Sequence, residues 1–147
     1  MVKTLLVDQD LKEGRLLLEH LTGKEAEVEL SWGKHRAAFV GRPDVRVRAA
    51  FWWYFPEAEE WRLVIATPLV DEVGPLSAYG LIQARLSAIS PPLTLALQNI
   101  SLISPKDERV KAFKKALKIA PDPVGIRFTR SALNGTFIED AYVYRLH

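Results

Sequence analysis

Apolar and polar residues alternate along residues 45–55, so an extended strand here has two faces of different character. One face carries a continuous apolar row: Val45, Val47, Ala49, Phe51, Trp53 and Phe55. The other face mixes cationic and aromatic side chains: Arg46, Arg48, Ala50, Trp52 and Tyr54. The pattern predicts a strand whose first face packs into the core and whose second face is an aromatic surface bordered by arginines.

A second apolar run at residues 61–67 follows a polar stretch, and the two runs form a predicted β-hairpin. Because Pro56 cannot donate a hydrogen bond to a sheet, we place the loop at residues 56–60 and pair Phe55 with Trp61. The same register gives four further neighbours: Trp53 with Leu63, Phe51 with Ile65, Tyr54 with Arg62, and Trp52 with Val64.

The first helix is predicted over residues 11–22, with Asp8 or Asp10 as its N-terminal cap. Its apolar side carries Leu11, Leu17, Leu18 and Leu21. Gly14 lies on the same side and predicts the close approach of a neighbouring element, because an interior glycine otherwise costs about 1 kcal/mol relative to alanine. His20 falls on the polar side, which predicts a solvated side chain rather than a metal ligand.

Two later helices are marked by prolines in their first turns. Pro75 begins a helix that reaches residue 89, with an apolar stripe of Leu76, Tyr79, Ile82 and Leu86. After a short strand at residues 99–103, Ser104 and Pro105 begin another helix, whose apolar face is Val110, Phe113, Ala116 and Leu117. Its opposite face groups Lys111, Lys114, Lys115 and Lys118, which either meet phosphates or face solvent.

The C-terminal part of the chain contains Asn134-Gly135, a sequence typical of a two-residue hairpin turn that needs positive φ at both positions. Such a turn sets Leu133 opposite Thr136 and Arg130 opposite Glu139. The predicted core face is then Ile126, Phe128, Arg130 and Ala132 against Val143, Ala141, Glu139 and Phe137.

In order, the predicted elements form an α+β fold with one mixed sheet of about five strands, arranged hairpin, helix, strand, helix, hairpin after an N-terminal amphipathic helix. Crossover connections are right-handed, and two that continue in one direction place their helices on the same side. We therefore expect helices mainly on one face of the sheet. Residues 24–44 are interpreted as an edge hairpin, turning near Gly33-Lys34, or as an insertion.

The chain has 147 residues, 48% of them hydrophobic, which predicts a single domain over residues 1–147. Its 20 basic and 18 acidic residues give a formal charge of +2, unlike the strongly basic balance of dedicated nucleic-acid binders. The absence of cysteine excludes disulfides, thiolate metal sites and cysteine nucleophiles. No apolar run approaches a bilayer span and no secretion signal is evident, so we expect a cytoplasmic protein without a membrane partner.

A set of short motifs is distributed along the chain: Gly14-Arg15, Trp61-Arg62-Leu63, Ile65-Ala66-Thr67-Pro68-Leu69-Val70-Asp71, Gly74-Pro75, Ala78-Tyr79, Ile103-Ser104-Pro105, Gly125-Ile126-Arg127-Phe128 and Ile138-Glu139-Asp140-Ala141-Tyr142. Together these motifs resemble a family of small bacterial proteins of unknown function. The resemblance covers most of the chain except residues 24–44, which look like an insertion. It implies one cytoplasmic domain and assigns no catalytic residue.

The candidate binding surface is the aromatic and basic sheet face, formed by Arg48, Trp52, Tyr54, Arg62, Arg127 and Tyr142. Because crossover helices on one side leave this face under-covered, we expect a protein partner, above all a second copy of the chain in a homodimer. The structural alternative is that Trp52 and Tyr54 lie beneath a helix or loop. A second functional hypothesis is binding of single-stranded nucleic acid, with aromatics stacked on bases and arginines at phosphates.

A third hypothesis is a carboxylate-based hydrolase that uses Asp71, Glu139 and Asp140, although a cross-strand ion pair and a loop explain these residues more simply. The sequence has no phosphate-cradling glycine loop, nucleophile elbow or histidine pair at metal-ligand spacing. We therefore predict an interaction module, with no catalytic residue, metal or cofactor.

Overall fold

The computed structural model describes residues 3–22, 26–30, 33–37, 45–119 and 125–145, with backbone alone at 26–30, 33–37 and 119. The helices are α1 (Asp8–Leu21), α2 (Leu69–Val73), α3 (Pro75–Ser87) and α4 (Glu108–Ile119), with a 3-10 turn at Leu97–Asn99. The strands are β1 (Ala26–Leu30), β2 (Gly33–Ala37), β3 (Ala49–Phe55), β4 (Glu60–Ala66), β5 (Ile100–Ile103), β6 (Gly125–Leu133) and β7 (Thr136–Tyr144). No helix of the described ranges is both long and apolar enough to cross a membrane.

Five strands form one mixed sheet in the order β5, β4, β3, β7, β6, in which β4 and β5 are parallel and the other neighbours are antiparallel. This confirms the predicted α+β class, its single mixed sheet and its N-terminal amphipathic helix. β1 and β2 pair with each other in a separate antiparallel sheet. A hairpin is therefore present within residues 24–44, but Gly33 and Lys34, predicted to form its turn, lie in β2 opposite Leu30 and Glu29. The hairpin also does not extend the edge of the main sheet. The rest of this segment lies outside the described residues, and its interpretation as an insertion stays a prediction.

Helices cover both faces of the main sheet. The Trp52 face, which carries Ala50 and Trp52 of β3 and Leu63 and Ile65 of β4, packs against leucines of α1 and against Ile82 of α3. The opposite face, here called the Phe51 face, packs against α4 through Phe113 and Val110. With Leu69 and Val70 of α2, three helices thus lie on the Trp52 face, which we had expected to be under-covered, and α4 alone covers the other face.

The expectation that α3 and α4 share a side was wrong, because only the first of the two connections joins parallel strands, whereas β5 and β6 are antiparallel. The β4–α3–β5 crossover moves outward by one strand to the edge at β5. The β5–α4–β6 connection then returns across the whole sheet to the other edge at β6. The handedness rule concerns crossovers between parallel strands, so it does not determine the side on which α4 lies.

The register of the β3–β4 hairpin differs by one residue from the prediction. Phe55 pairs with Glu60 rather than Trp61, because the loop is the four residues 56–59 and Glu59 adopts a positive φ of 50°. Since side chains alternate across a strand, this shift moves every β4 side chain to the other face. Trp61 consequently joins Tyr54 and Trp52 on the Trp52 face, whereas Arg62 lies opposite Trp53 on the Phe51 face.

Helix α1 begins earlier than predicted, and its polar side is solvated only in part, at residues such as Lys12. Asp10 accepts a hydrogen bond from the backbone N–H of Val7 at 2.9 Å, which confirms a capping role for this residue. Glu13 is buried and accepts bonds from Leu95 N at 2.8 Å and Thr94 Oγ1 at 2.7 Å. His20 is only 2% exposed, so the prediction of a solvated histidine was wrong. Thr94 and Leu95 lie in the loop before the 3-10 turn and cover Glu13 on this side of the helix. Helical periodicity alone could not reveal this contact, because the loop is distant in sequence.

The two later helices follow the proline signals with small differences. Pro75 is the first residue of α3, as predicted, but Leu76 is 89% exposed and does not belong to the apolar stripe. Helix α4 begins at Glu108, later than predicted, and Asp107 caps it by accepting from the backbone N–H of Arg109 at 2.9 Å. The predicted lysine face of α4 is confirmed, since Lys111, Lys114, Lys115 and Lys118 are all exposed.

The C-terminal hairpin has the predicted turn and register. Asn134 and Gly135 have φ values of 50° and 81°, and Leu133 pairs with Thr136. Its alternation, however, is not uniform. Ile138 is fully buried on the Phe51 face, whereas Phe137, predicted to lie in the core, is 62% exposed.

Candidate functional site

The predicted aromatic surface is closed by helix α1. Trp52 is fully buried, and its indole N–H donates to the Tyr144 hydroxyl at 2.9 Å. The Tyr144 hydroxyl in turn donates to the carbonyl oxygen of Leu11 at 2.7 Å, and burial raises the pKa of this phenol. An added Cβ at Gly14 would lie 2.3 Å from the Tyr144 oxygen, so the predicted close approach at this glycine is confirmed.

Trp52 therefore cannot stack on a base or contact a second copy of the chain. The alternative interpretation, in which a helix covers this residue, is the one that the structure shows. A homodimer stays a prediction. Burial of Trp52 excludes the surface that we assigned to the dimer interface, but it does not exclude contact through another surface.

The other members of the predicted surface do not form one site. Arg62 donates to the carbonyl oxygen of Ile100 at 3.1 Å, on the Phe51 face. Tyr142 packs edge-on against Tyr144, with the ring centroids 5.3 Å apart. Arg127 makes a bidentate ion pair with Asp140, at 2.6 and 2.8 Å, and its guanidinium lies over the Trp61 ring at 5.2 Å from the centroid. The hydrogen bonds that Arg127 donates to Asp140 raise the pKa of this guanidinium, which therefore keeps its charge.

The three predicted carboxylates are likewise divided between distant ends of the sheet. Asp71 follows the end of β4 that pairs with the start of β3, and it accepts from Ser104 Oγ at 2.7 Å. Glu139 and Asp140 precede the part of β7 that pairs with Trp53, near the other end of β3. Within the described ranges, no group of three or more His, Asp or Glu residues could hold a metal ion.

Tyr54, Glu139 and Asp140 do meet, in an open cavity of about 290 Å³ at the end of the sheet where β7 begins. We call it the Tyr54 cleft and define it by its lining residues: Thr4, Tyr54, Trp61, Thr129, Arg130, Glu139 and Asp140. Tyr54 and Trp61 form one wall, with ring centroids 5.5 Å apart. The cleft thus joins three of the predicted site residues to Arg130, which the prediction had treated as a structural partner of Glu139.

A second cavity, of about 270 Å³, lies at the opposite end of the sheet beside α4. This basic pocket is lined by Arg48, Ala49, Phe113, Lys114, Leu117, Lys118, Tyr144 and Arg145. Four of these residues are cationic and none is acidic. Because Ala49, Phe113 and Leu117 are buried or half-buried, the pocket combines an apolar lining with a basic rim.

Three of the four cations in the basic pocket make no direct contact with an acidic side chain of the described residues, although the charge of Arg48, after the hydrogen bonds from Arg46, also lowers the pKa of Glu72. Among the residues that the structure describes, the side chains of Arg48, Lys114 and Lys118 make no hydrogen bond or ion pair. Neighbouring arginines differ: Arg46 forms a bidentate pair with Glu72, and its bonds lower the pKa of that carboxyl. The sequence identified Arg48 and the lysine face separately, but only the position of α4 over the end of β3 brings them together.

Comparison of the chain with models of protein families, with curated proteins and with solved structures finds no match. The resemblance to a family of small bacterial proteins therefore stays a prediction, and the candidate sites depend on the geometry described above.

Proposed function

We propose that this protein is a binding module for an anionic ligand, which it holds in the basic pocket. One observation carries the proposal: four cationic side chains and no acidic one line a cavity whose remaining lining is mostly apolar. Arg48, Lys114 and Lys118 repel one another across a cavity that no acidic side chain lines, so a bound anion would relieve a cost that the folded chain otherwise bears.

The pocket indicates the chemistry of its ligand. Guanidinium and ammonium groups bind carboxylate and phosphate oxygens through charge-assisted hydrogen bonds. Phe113, Leu117 and Ala49 offer apolar contact to whatever carries the anionic group. With a volume of about 270 Å³, the cavity is near the lower limit of small-molecule sites. A small organic phosphate or carboxylate with an apolar or aromatic body fits this combination.

Single-stranded nucleic acid is a second candidate, supported by the continuation of positive charge along α4. Lys111 and Lys115 lie outside the pocket on the exposed side of the same helix. A phosphate backbone could follow this helix, with one nucleotide entering the pocket. This candidate keeps the nucleic-acid hypothesis but replaces the Trp52 face with the α4 face.

A pair of double variants tests both candidates. Lys114→Ala/Lys118→Ala removes two pocket lysines, and Lys111→Ala/Lys115→Ala removes two lysines of the same helix that do not line the pocket. Each variant is titrated calorimetrically with a nucleoside monophosphate, an aromatic carboxylate and a short single-stranded RNA. A charge-assisted hydrogen bond contributes about 1.5–3 kcal/mol, so the pocket variant should lose small-ligand affinity by about tenfold or more.

The control variant should bind the small ligands as the parent does. If RNA is the ligand, both double variants should weaken its binding, and affinity should fall steeply with salt concentration. Absence of saturable binding by the parent for all three probes, or equal small-ligand affinity in the two double variants, would contradict the proposal.

Self-association also stays open to a direct test. Light scattering across a range of concentrations gives the oligomeric state, and a monomer at every concentration would contradict the homodimer.

A further inference from the structure

The C-terminal hairpin is interrupted at one position on each strand. Thr129 pairs with Asp140 and Ser131 pairs with Ile138, but the opposing residues between them, Arg130 and Glu139, do not form a ladder pair. Arg130 has a φ of 44°, in the left-handed region that non-glycine residues rarely adopt. A residue held in such a conformation is strained, and strained residues occur preferentially at functional sites.

The interruption changes which side chains face the core. On the C-terminal side of Glu139, Ala141 and Val143 of β7 lie on the Phe51 face, as simple alternation predicts. On the N-terminal side of Glu139, Ile138 lies on the Phe51 face and Phe137 is exposed, opposite to simple alternation. Arg130 and Glu139 stand at this point of change, and both line the Tyr54 cleft.

Two charges in the cleft already compensate each other. Arg127 holds Asp140 through its bidentate pair and lies over the Trp61 ring. The wall of Tyr54 and Trp61 is therefore backed by a neutral ion pair and presents no net charge to the cavity.

The remaining two charges are of opposite sign and do not pair. Glu139 and Arg130 occupy opposing positions on antiparallel strands, where Cβ atoms are about 4.5–5.5 Å apart and opposite charges normally attract. Among the described residues, neither side chain makes a hydrogen bond or an ion pair. With respect to the described part of the chain, the cleft thus offers one unpaired cation and one unpaired anion beside an aromatic wall.

We propose that the Tyr54 cleft binds a small zwitterion of the α-amino acid type. Its carboxylate would accept hydrogen bonds from the Arg130 guanidinium, and its ammonium group would donate to the Glu139 carboxylate. The side chain of the ligand would lie against Tyr54. Both charges of such a ligand are satisfied at once, which a simple anion or a simple cation cannot achieve here.

This site is independent of the basic pocket, which lies at the other end of β3. The basic pocket adjoins Ala49, the first residue of that strand, whereas the cleft adjoins Tyr54 near its end. The two proposals can therefore fail separately.

The test measures binding of free L-phenylalanine, L-leucine, L-lysine and L-glutamate to the full chain by calorimetry at neutral pH. Hydrocinnamate and phenethylamine, which resemble phenylalanine but carry one charge each, serve as probes for the two halves of the site. Variants Arg130→Gly and Glu139→Gln remove one site charge each, and Lys106→Ala removes an exposed charge outside both cavities.

Arg130→Gly separates binding from folding, because glycine adopts a positive φ without the steric cost that arginine incurs. Its unfolding midpoint should equal or exceed that of the parent, while amino-acid affinity falls by about tenfold or more. Glu139→Gln should lose affinity to a similar extent, and Lys106→Ala should bind as the parent does. Hydrocinnamate and phenethylamine should each bind at least about tenfold more weakly than phenylalanine.

The proposal is overturned if none of the four amino acids binds at concentrations up to about 10 mM, where even a weak site would show saturation. It is equally overturned if Arg130→Gly or Glu139→Gln retains the parent's affinity, or if a singly charged probe binds as tightly as phenylalanine.

Discussion

The two faces of the sheet carry aromatic side chains from the same strand, yet they are closed in different ways. On the Trp52 face, α1 approaches so closely that Gly14 contacts Tyr144, and the buried indole and phenol are joined by directed hydrogen bonds. On the Phe51 face, Phe113 of α4 packs edge-on against Phe51 with centroids 4.8 Å apart, without such bonds. Closure by polar bonds requires exact geometry, whereas closure by ring packing requires volume.

At the edge of the Phe51 face, a cationic side chain packs against the aromatic rings. Arg109 is held by Asp107 at 3.0 and 3.1 Å, and its guanidinium lies 5.1 Å from the centroid of the Trp53 ring. The bonds from Arg109 lower the pKa of Asp107. Substitutions that remove volume should therefore be most costly on the Phe51 face, and substitutions that disturb geometry should be most costly on the Trp52 face.

The largest expected effect is that of Phe113→Ala, which leaves a cavity among the rings of the Phe51 face. We expect the free energy of unfolding to fall by about 3–5 kcal/mol, measured by urea denaturation. Phe137→Ala is the matched control, since this phenylalanine is 62% exposed and its loss should change stability by no more than about 0.5 kcal/mol. Equal losses in the two variants would show that α4 does not depend on ring packing.

Gly14→Ala should be the next most costly change, because the new methyl group would overlap the Tyr144 hydroxyl. Overpacking of a buried contact costs about 1–3 kcal/mol. Gly80→Ala provides the control on α3, where an added Cβ meets nothing within 4 Å and should stabilise the helix by up to about 1 kcal/mol. The comparison fails if both alanines stabilise the protein to the same extent.

Tyr144→Phe tests the hydrogen bonds of the Trp52 face without changing its volume. The variant leaves the Trp52 N–H and the Leu11 carbonyl without their partner, at a cost of about 1–3 kcal/mol. Tyr54→Phe, at a half-buried tyrosine, should change stability by less than about 0.5 kcal/mol. If the two variants are equally stable, the Trp52 face is held by packing alone.

The smallest expected effect concerns His20, near the end of α1. The free energy of unfolding should depend on pH because of this buried histidine. Burial and the neighbouring Arg85 lower the pKa of this histidine, so the folded protein keeps it neutral. An unfolded histidine binds a proton near pH 6.5, and the unfolded state therefore gains protons first as the pH falls. The contribution of neutral His20 to the free energy of unfolding is complete above that pH. It decreases as the pH falls toward the lower pKa of the folded state.

The loss is at most about 1.4 kcal/mol for each pH unit in this window. It is measured by urea denaturation between pH 5 and pH 8 for the parent and for His20→Leu, which should lack this component. Identical pH dependence of the two proteins would contradict the assignment.

Several features of the fold could be predicted because they depend on short segments. Asn134-Gly135 predicted the register of its hairpin, and Pro75 predicted the start of α3. Gly14 predicted a close contact, which the structure shows to be with Tyr144. The register of β3 with β4 could not be predicted in the same way, since the loop shortens by one residue when Glu59 adopts positive φ. Glutamate is not a residue type that favours a positive φ, so the sequence at Glu59 does not indicate the shorter loop.

The candidate sites were predictable only in part. Arg48, Tyr54, Glu139 and Asp140 were selected because of their residue types, and each lines one of the two cavities. Trp52 was selected for the same reason and is buried, because alternation distinguishes the two faces of a strand but does not tell which face a helix covers.

The sequence by itself determined the classes of element, their order and the mixed sheet, because period and turn chemistry act over a few residues. The tertiary structure alone decided that α4 returns across the Phe51 face, that α1 seals Trp52, and that Arg130 turns into the cleft. Each of these outcomes depends on contacts between segments far apart in the chain. A local pattern contains no information on which distant partner will satisfy it.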